Sequence, residues 1–145
     1  MYNVVLRMVG DAEEAQDVLQ EAFISAFKNI QQYSGKATLG AWIKRIVINK
    51  SIDHLKKKRL KIVDLENVAY KICAEEENNE PFYRVEPTKI HDEIKRLPKG
   101  CRVVFSMYMM EGYDHGEIAA VLGVSESTSK SQFSRAKRLL RERLG

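Results

Sequence analysis

Apolar residues recur at three- and four-residue steps along most of this chain, the period of amphipathic helices rather than the alternation of strands. In the first third, Ala12, Ala15, Val18, Leu19, Ala22, Phe23, Ala26, Phe27 and Ile30 mark the inward face of one predicted helix, with Glu13, Glu14, Asp17, Gln20 and Glu21 on its other side. The stretch QQYSGKAT, residues 31–38, breaks the period and predicts a loop. Thr38 is placed to cap a second helix, its hydroxyl accepting from the unpaired N–H groups of the first turn. Leu39, Trp42, Ile43, Ile46, Val47, Ile52 and Leu55 carry the apolar stripe along that helix.

The period fades over residues 63–87, where EEENNEP at 75–81 has little apolar content, and a flexible acidic connector is expected there with a short helical piece around Val68–Ile72. It resumes with a short helix capped by Thr88 that turns Ile90, Ile94 and Leu97 inward. Pro98 suits the first turn of the next helix, where a missing N–H costs nothing. That helix buries Val103, Val104, Met107 and Tyr108 and stops at Gly112. In DHGEIAAVLGVSES a short helix turns Ile118, Ala119 and Leu122 inward, breaks at Gly123, and hands over to a last helix capped by Ser125. Small Ala119 permits a close crossing and Gly123 accepts a tight turn, which together predict a helix-turn-helix. The expected fold is all-α: two small helical domains at 1–62 and 88–145, joined by the acidic linker 63–87, the second domain being the helix-turn-helix.

Charge gives these helices different partners. Lys and Arg exceed Asp and Glu by five in residues 1–63 and by five in 94–145, while the middle segment carries a net charge of −6. Two basic modules around an acidic connector suit two contacts with a polyanion and a tether that avoids it. On the second helix Lys44, Arg45, Lys50, Lys56, Lys57, Lys58, Arg59 and Lys61 stand against the single acid Asp53, a density that favours phosphate backbones through counterion release. Tyr33 and Trp42 flank this surface, and with the amide of Asn49 they offer stacking and hydrogen bonding to an unpaired base; Trp42 also lies on the apolar stripe and is expected in the core with one edge exposed. On the last helix, positions 129, 133, 136 and 140 face inward, whereas Ser127, Lys130, Ser131, Ser134 and Arg135 share the outward face. Short hydroxyls permit close approach to a major groove, Lys130 and Arg135 can address base acceptors or phosphates, and Lys137, Arg138 and Arg141 can hold the flanking backbone. The acidic stripe of the first helix repels nucleic acid and is either a solvated face or a docking face for a basic protein surface.

Other classes find little support. The 145 residues, 44% apolar and 30% charged, suit two compact modules better than one large enzyme fold. Cys73 and Cys101 form no CxxC pair, His54, His91 and His115 are scattered, and no glycine-rich phosphate loop or nucleophile motif is present, so neither an enzyme, a cofactor nor a metal site is expected. No apolar run approaches the roughly 18 to 20 residues of a membrane span, the start has no signal-peptide order, and a cytosolic chain is expected.

Two long stretches also carry a family resemblance. DAEEAQDVLQEAFISAFKNIQQYSGKATLGAWIKRIVINKSIDHLKKKR, residues 11–59, resembles the core-binding and promoter-melting domain of bacterial sigma factors of the extracytoplasmic-function group. IKRLPKGCRVVFSMYMMEGYDHGEIAAVLGVSESTSKSQFSRAKRLLRERL, residues 94–144, resembles their C-terminal helix-turn-helix domain. The resemblance implies that Asp17, Gln20 and Glu21 dock on the clamp helices of the largest subunit of core RNA polymerase. It implies minus-ten recognition and opening by Tyr33, Arg45, Asn49, Lys50, Lys57 and Arg59, with Tyr33 and Asn49 near a flipped base. It further implies minus-thirty-five contacts by Ser127, Lys130, Ser131, Ser134, Arg135 and Lys137 and a touch on the flap of the second-largest subunit.

Core polymerase and promoter DNA are the partners so implied, an anti-sigma protein is a further one, and catalysis is left to the polymerase in the bacterial cytoplasm. Relatives usually carry another helix before the point where this chain starts, and MYNVVLRMVGD looks like the middle of their first domain, so either a truncated chain or an internal start is expected, and with it an incompletely packed first domain. Ser129 stands where the family commonly has valine on the buried side of the reading helix, and its hydroxyl is expected to bond the carbonyl one turn back. The competing reading is a stand-alone helix-turn-helix regulator, which leaves the acidic stripe of the first helix without a role.

Overall fold

The computed structural model describes residues 1–58 and 86–145. The expected connector, its helical piece around 68–72 and Arg59 lie outside the described residues. The described residues fall into two compact units, helical throughout, with no strand among them.

Three α-helices make the first unit: α1 (Tyr2–Val9), α2 (Ala12–Lys28) and α3 (Leu39–Lys57). The sequence reading has no helix before Ala12, yet Val4, Val5, Met8 and Val9 are all buried and Gly10 closes α1 in the left-handed region at φ 86°. Asp11 then starts α2 by accepting from the Glu14 N–H at 3.0 Å. Val5, Val9, Ala15, Val18, Ala22 and Val47 form the shared core, with Tyr2, Leu6, Leu19, Ile43 and Ile46 packed around it. Ala15, Ala22 and Ala26 keep the buried stripe of α2 thin, so backbones approach closely, and larger side chains on the neighbours fill the space. Each fully buried valine or isoleucine, such as Val5 or Val47, contributes about 2 kcal/mol. α1 is packed against both α2 and α3.

Thr38 does cap α3, accepting from the Ala41 N–H at 3.2 Å. Ser51, fully buried on α3, satisfies its hydroxyl on the Val47 carbonyl at 2.8 Å. Four residues expected in the core lie outside it: Ala12, the first residue of α2, is exposed, Phe27 is 75% exposed, Ile30 46% and Leu39 45%. The reason is geometric. The alanine stripe sets the buried face of α2 and Phe27 projects about 100° around the helix from Ala26. Ile30 falls in a 3₁₀ turn (Ile30–Gln32) beyond the end of α2, and Leu39 is the first residue of α3.

Four α-helices make the second unit: α4 (Pro87–Lys95), α5 (Lys99–Phe105), α6 (His115–Leu122) and α7 (Glu126–Leu144). A wider π turn (Ser106–Met110) continues α5, with the Glu111 N–H reaching back to the Ser106 carbonyl. Ile94, Leu97, Val103, Val104, Met107, Ile118, Leu122, Phe133, Ala136 and Leu140 are buried in its core. Thr88 does not cap α4: Pro87 already occupies its first position and Glu86 precedes it, which puts Thr88 inside the helix. Pro98 sits one step before α5 rather than in its first turn, and Tyr108, expected inward, is carried out by the π turn and is 37% exposed.

The turn after α6 is as read, and a cap that the sequence reading did not name precedes the helix. Asp114 and Glu117 form a reciprocal capping box, Gly123 adopts φ 69°, and the Ser125 hydroxyl accepts from the Thr128 N–H at 3.0 Å. The buried Cys101 thiol donates to Gln132 Oε1 at 3.0 Å, and burial pushes its pKa up, which keeps it protonated.

Candidate nucleic-acid interface

Two surfaces of opposite character occupy the first unit. On α2, Glu13, Asp17, Gln20 and Glu21 are exposed as the spacing requires. Glu14 departs from that stripe: its carboxylate pairs with Lys58 and lies 3.2 Å from His54 Nε2, tying the start of α2 to the end of α3. Sequence reasoning missed the apolar continuation of the exposed face. Asp17, Gln20, Ile24 and Phe27 follow one another at steps of three and four, and Ile24 is 54% exposed. The missed signal is that the inward positions of α2 were already filled by alanines, which leaves Ile24 and Phe27 on the exposed side.

The basic surface lies on α3. Trp42, Arg45 and Asn49 also step by three and four, so a single stripe runs about 10 Å from the aromatic start of the helix to the Asn49 amide. Arg45, Asn49 and Lys57 are exposed, and Lys50 is half-buried. Tyr33 packs its ring against Trp42, centroids 5.5 Å apart with planes tilted by 49°, and its hydroxyl donates to the Ala37 carbonyl, which closes the loop over residues 33–37. Trp42 is half-buried rather than a core residue, and both rings keep part of their surface accessible. The structure therefore brings Tyr33 to Trp42 at one end of the stripe and sets Asn49 farther along the same helix.

The polar side of α7 is exposed along most of its length. Ser127, Ser131, Ser134 and Arg141 fall on one stripe at helical steps, all exposed, with Lys130 exposed and Arg135 half-buried beside them. Ser131 donates to the Ser127 carbonyl at 3.0 Å, which turns its hydroxyl along the helix. Lys130 is held 3.2 Å from Glu126, and Lys137 lies 5.0 Å over the Phe133 ring in a cation–π contact. Ser129 corrects the expected bond to a carbonyl one turn back: its hydroxyl meets His115 Nδ1 at 2.9 Å, because His115 begins α6 directly against this turn of α7. Burial first, then the Lys130 charge, hold the His115 pKa below the ordinary imidazole value, against smaller pulls from Glu126 and Asp114.

Among the described residues no cluster of His, Cys, Asp and Glu could hold a metal ion, and no helix is long and apolar enough to cross a membrane. The arrangement can therefore bind: one acidic and apolar face, one basic aromatic face, and one basic hydroxyl-rich helix.

Comparison with known proteins assigns these units. The family pattern of Sigma-70 region 2 matches residues 1–61, and that of Sigma-70 region 4 matches residues 88–140. The RNA polymerase sigma-H factor of Pseudomonas aeruginosa is 30% identical, over 92% of this chain and 75% of its own length. The ECF RNA polymerase sigma factor SigE of Mycolicibacterium smegmatis is 29% identical over 99% of this chain, which spans 57% of that relative. The fold is shared with the sigma factor RpoE of Bartonella quintana, solved with the anti-sigma factor NepR, at a TM-score of 0.60 and 19% identity, covering 97% of this chain and 87% of the other. Region 2 on the first unit and region 4 on the second, in that order, set a stand-alone helix-turn-helix regulator aside. The chain belongs to the sigma-70 family of RNA polymerase sigma factors, in its extracytoplasmic-function group.

Proposed function

We propose that this chain directs core RNA polymerase to two promoter elements and helps open the minus-ten element, with α2 as the polymerase contact, α3 as the melting surface and α7 as the minus-thirty-five reader. The observation that carries the reading is the segregation within the first unit. Acidic and apolar side chains share the outer face of α2, which a phosphate backbone would avoid, while cations and accessible aromatics collect on and beside α3. A factor that only bound DNA would have no use for the first surface. A basic, partly apolar helical pair on the polymerase fits it, with Asp17, Gln20 and Glu21 giving orientation and Ile24 and Phe27 the buried contact area.

On the melting surface the physical task is to hold a base outside the stack, and extrusion costs a few kcal/mol. The exposed parts of Tyr33 and Trp42 offer stacking, worth about 1 to 3 kcal/mol per base, and the Asn49 amide adds donor and acceptor capacity. Arg45, Lys50 and Lys57 hold the phosphates on either side. Arg59 is assigned to the same backbone by the family resemblance. On α7, Ser127, Lys130, Ser131, Ser134 and Arg135 address base edges or nearby phosphates, and Lys137 the flanking backbone. The chain itself is no enzyme in this reading. Bond formation belongs to the polymerase, in the cytoplasm where transcription takes place, and an anti-sigma protein like those solved with the relatives is a further partner.

The deciding experiment is charge reversal on α2. Asp17→Lys with Glu21→Lys is expected to abolish saturable binding to core polymerase while leaving the chain's affinity for duplex DNA intact or slightly raised. Retained polymerase binding would remove α2 from the interface, and a parallel loss of DNA affinity and thermal stability would mark the face as structural.

A further inference from the structure

Ser129 is fully buried on α7, and a hydroxyl there needs a partner. It finds one on another helix, His115 Nδ1 at 2.9 Å. The imidazole is held on its faces as well. Its ring stacks on Tyr108 with centroids 4.5 Å apart and planes 18° apart, and it meets Phe133 in an edge contact at 5.5 Å. Tyr108 and Phe133 close the group at 4.5 Å. Position, plane and hydrogen bond of His115 are thus all fixed.

The placement of this bond in the helix-turn-helix matters more than its strength. His115 is the first residue of α6, and Ser129 lies one turn into α7. The two helices are hinged at Gly123–Ser125, so His115 stands about 10 Å from the hinge along one arm and Ser129 about 6 Å along the other. A directional bond across the open side of a hinge sets the angle between its arms, whereas an apolar pair in the same place would permit sliding. Ser129 is also the immediate neighbour of Lys130 on the reading face, which transmits any rotation of this turn to the bases.

We propose that His115 and Ser129 are a positioning pair for base reading: their bond fixes the angle of α7 against α6 and thereby the register in which Ser127, Lys130 and Ser131 meet the major groove. The proposal rests on α7 being the minus-thirty-five reader. Neither side chain touches DNA in this role. Removing one partner leaves the other buried and unsatisfied and removing both leaves an apolar contact, so the double variant is the more stable, but all three lack the bond and the losses of register do not add.

The test is selection from a randomised duplex pool by the full chain and by His115→Phe, Ser129→Ala and the double variant, each below its own melting temperature. Affinities are then measured for the duplex the wild type selects and for a scrambled one. Each single variant is expected to lower the ratio of the two affinities about fivefold and to blur preference at the positions nearest Lys130, and the double variant to lose no more than either single, since the same bond is broken in all three. Enrichment of no sequence by the wild type would overturn the reading of α7, and the proposal with it. Clear enrichment by the wild type with single-variant ratios within about twofold would leave that reading standing and overturn the positioning role. Single losses that add in the double variant would overturn the pairing. Should His115→Phe fail to fold, Ser129→Ala, a smaller residue inside a helix, decides by its ratio alone.

Discussion

At the residue scale, Asn49, His115 and Glu126 carry the sharpest consequences. Asn49 is exposed on α3 and has no part in the core of its unit, so its removal should leave the fold alone. Asn49→Ala is expected to reduce minus-ten opening about tenfold, read by fluorescence of a base analogue in the promoter, with binding to polymerase and to the minus-thirty-five duplex changed less than about twofold. Equal loss in all three assays would make the residue structural. Glu126 holds Lys130 3.2 Å away on the face proposed to meet DNA, and both groups are more than half exposed. Glu126→Gln should therefore release the ammonium, remove a like charge from the path of the phosphates and tighten duplex binding by about two- to fivefold at low salt. Weaker binding would show that Glu126 orients Lys130 rather than restraining it. His115 has its folded pKa depressed, chiefly by burial and then by Lys130 and Lys137, while Glu126 and Asp114 oppose the shift; the Tyr108 phenol and Glu117 complete the ionisable groups nearby. Between the folded value and the ordinary one near 6.5 the unfolded chain holds more protons. The stability that His115 contributes is thus complete above about pH 6.5 and falls away as pH drops through the folded value. The second unit should melt lower at pH 5.5 than at pH 7.5, and His115→Phe should lose that part of the acid sensitivity.

At the scale of elements, caps and hinges decide where helices start; Thr38 and Ser125 were legible as caps, whereas Thr88 and Pro98 are not where the sequence placed them. Gly123 takes φ 69° between α6 and α7, a region that costs a residue with a Cβ about 1 kcal/mol or more, although the space around it is open. Gly123→Ala is accordingly expected to lower stability by about 1 kcal/mol without a steric clash, and Ser125→Ala by a similar amount through loss of the cap on α7, both measurable by thermal unfolding. Thr38, Gly112, Gly123 and Ser125 could be read from the sequence because each acts through its own backbone or one neighbour. Face assignment was legible only where the buried stripe is broad. On α7, positions 129, 133, 136 and 140 are inward as read, whereas on α2 the alanines claim the interior and Phe27 is turned outward. The Ser129–His115 bond spans two helices, and the Glu14–Lys58 pair joins α2 to the end of α3. No periodicity within one helix announces such contacts. α1 was missed for a simpler reason: eight residues give barely two turns of period, and its helix is stabilised by packing on α2 and α3 rather than by propensity.

At the scale of the whole molecule, charge is divided so that each surface has one kind of partner. The net +4 of the chain conceals an excess of five cations in residues 1–63, another excess of five in 94–145, and a net −6 between them. Binding to duplex DNA should consequently weaken steeply with salt, whereas docking through the mixed acidic and apolar face of α2 should be less sensitive, because Ile24 and Phe27 supply apolar area that ions do not screen. The cations flanking the reading face give a quantitative form to this difference. Arg141 is exposed on the same stripe as Ser127, Ser131 and Ser134, and Lys137 is exposed next to it with its ammonium over Phe133. If both contact phosphates, Lys137→Gln with Arg141→Gln removes two released counterions, and the slope of log affinity against log salt should become shallower by about 2. Base preference in the selected duplex should be unchanged, since phosphate contacts position the helix without reading sequence. Polymerase binding through α2 should also be unchanged, because neither residue lies on that helix. An unaltered slope would assign Lys137 to its aromatic contact and Arg141 to solvent, and would move the backbone-holding role to other cations of the reading helix.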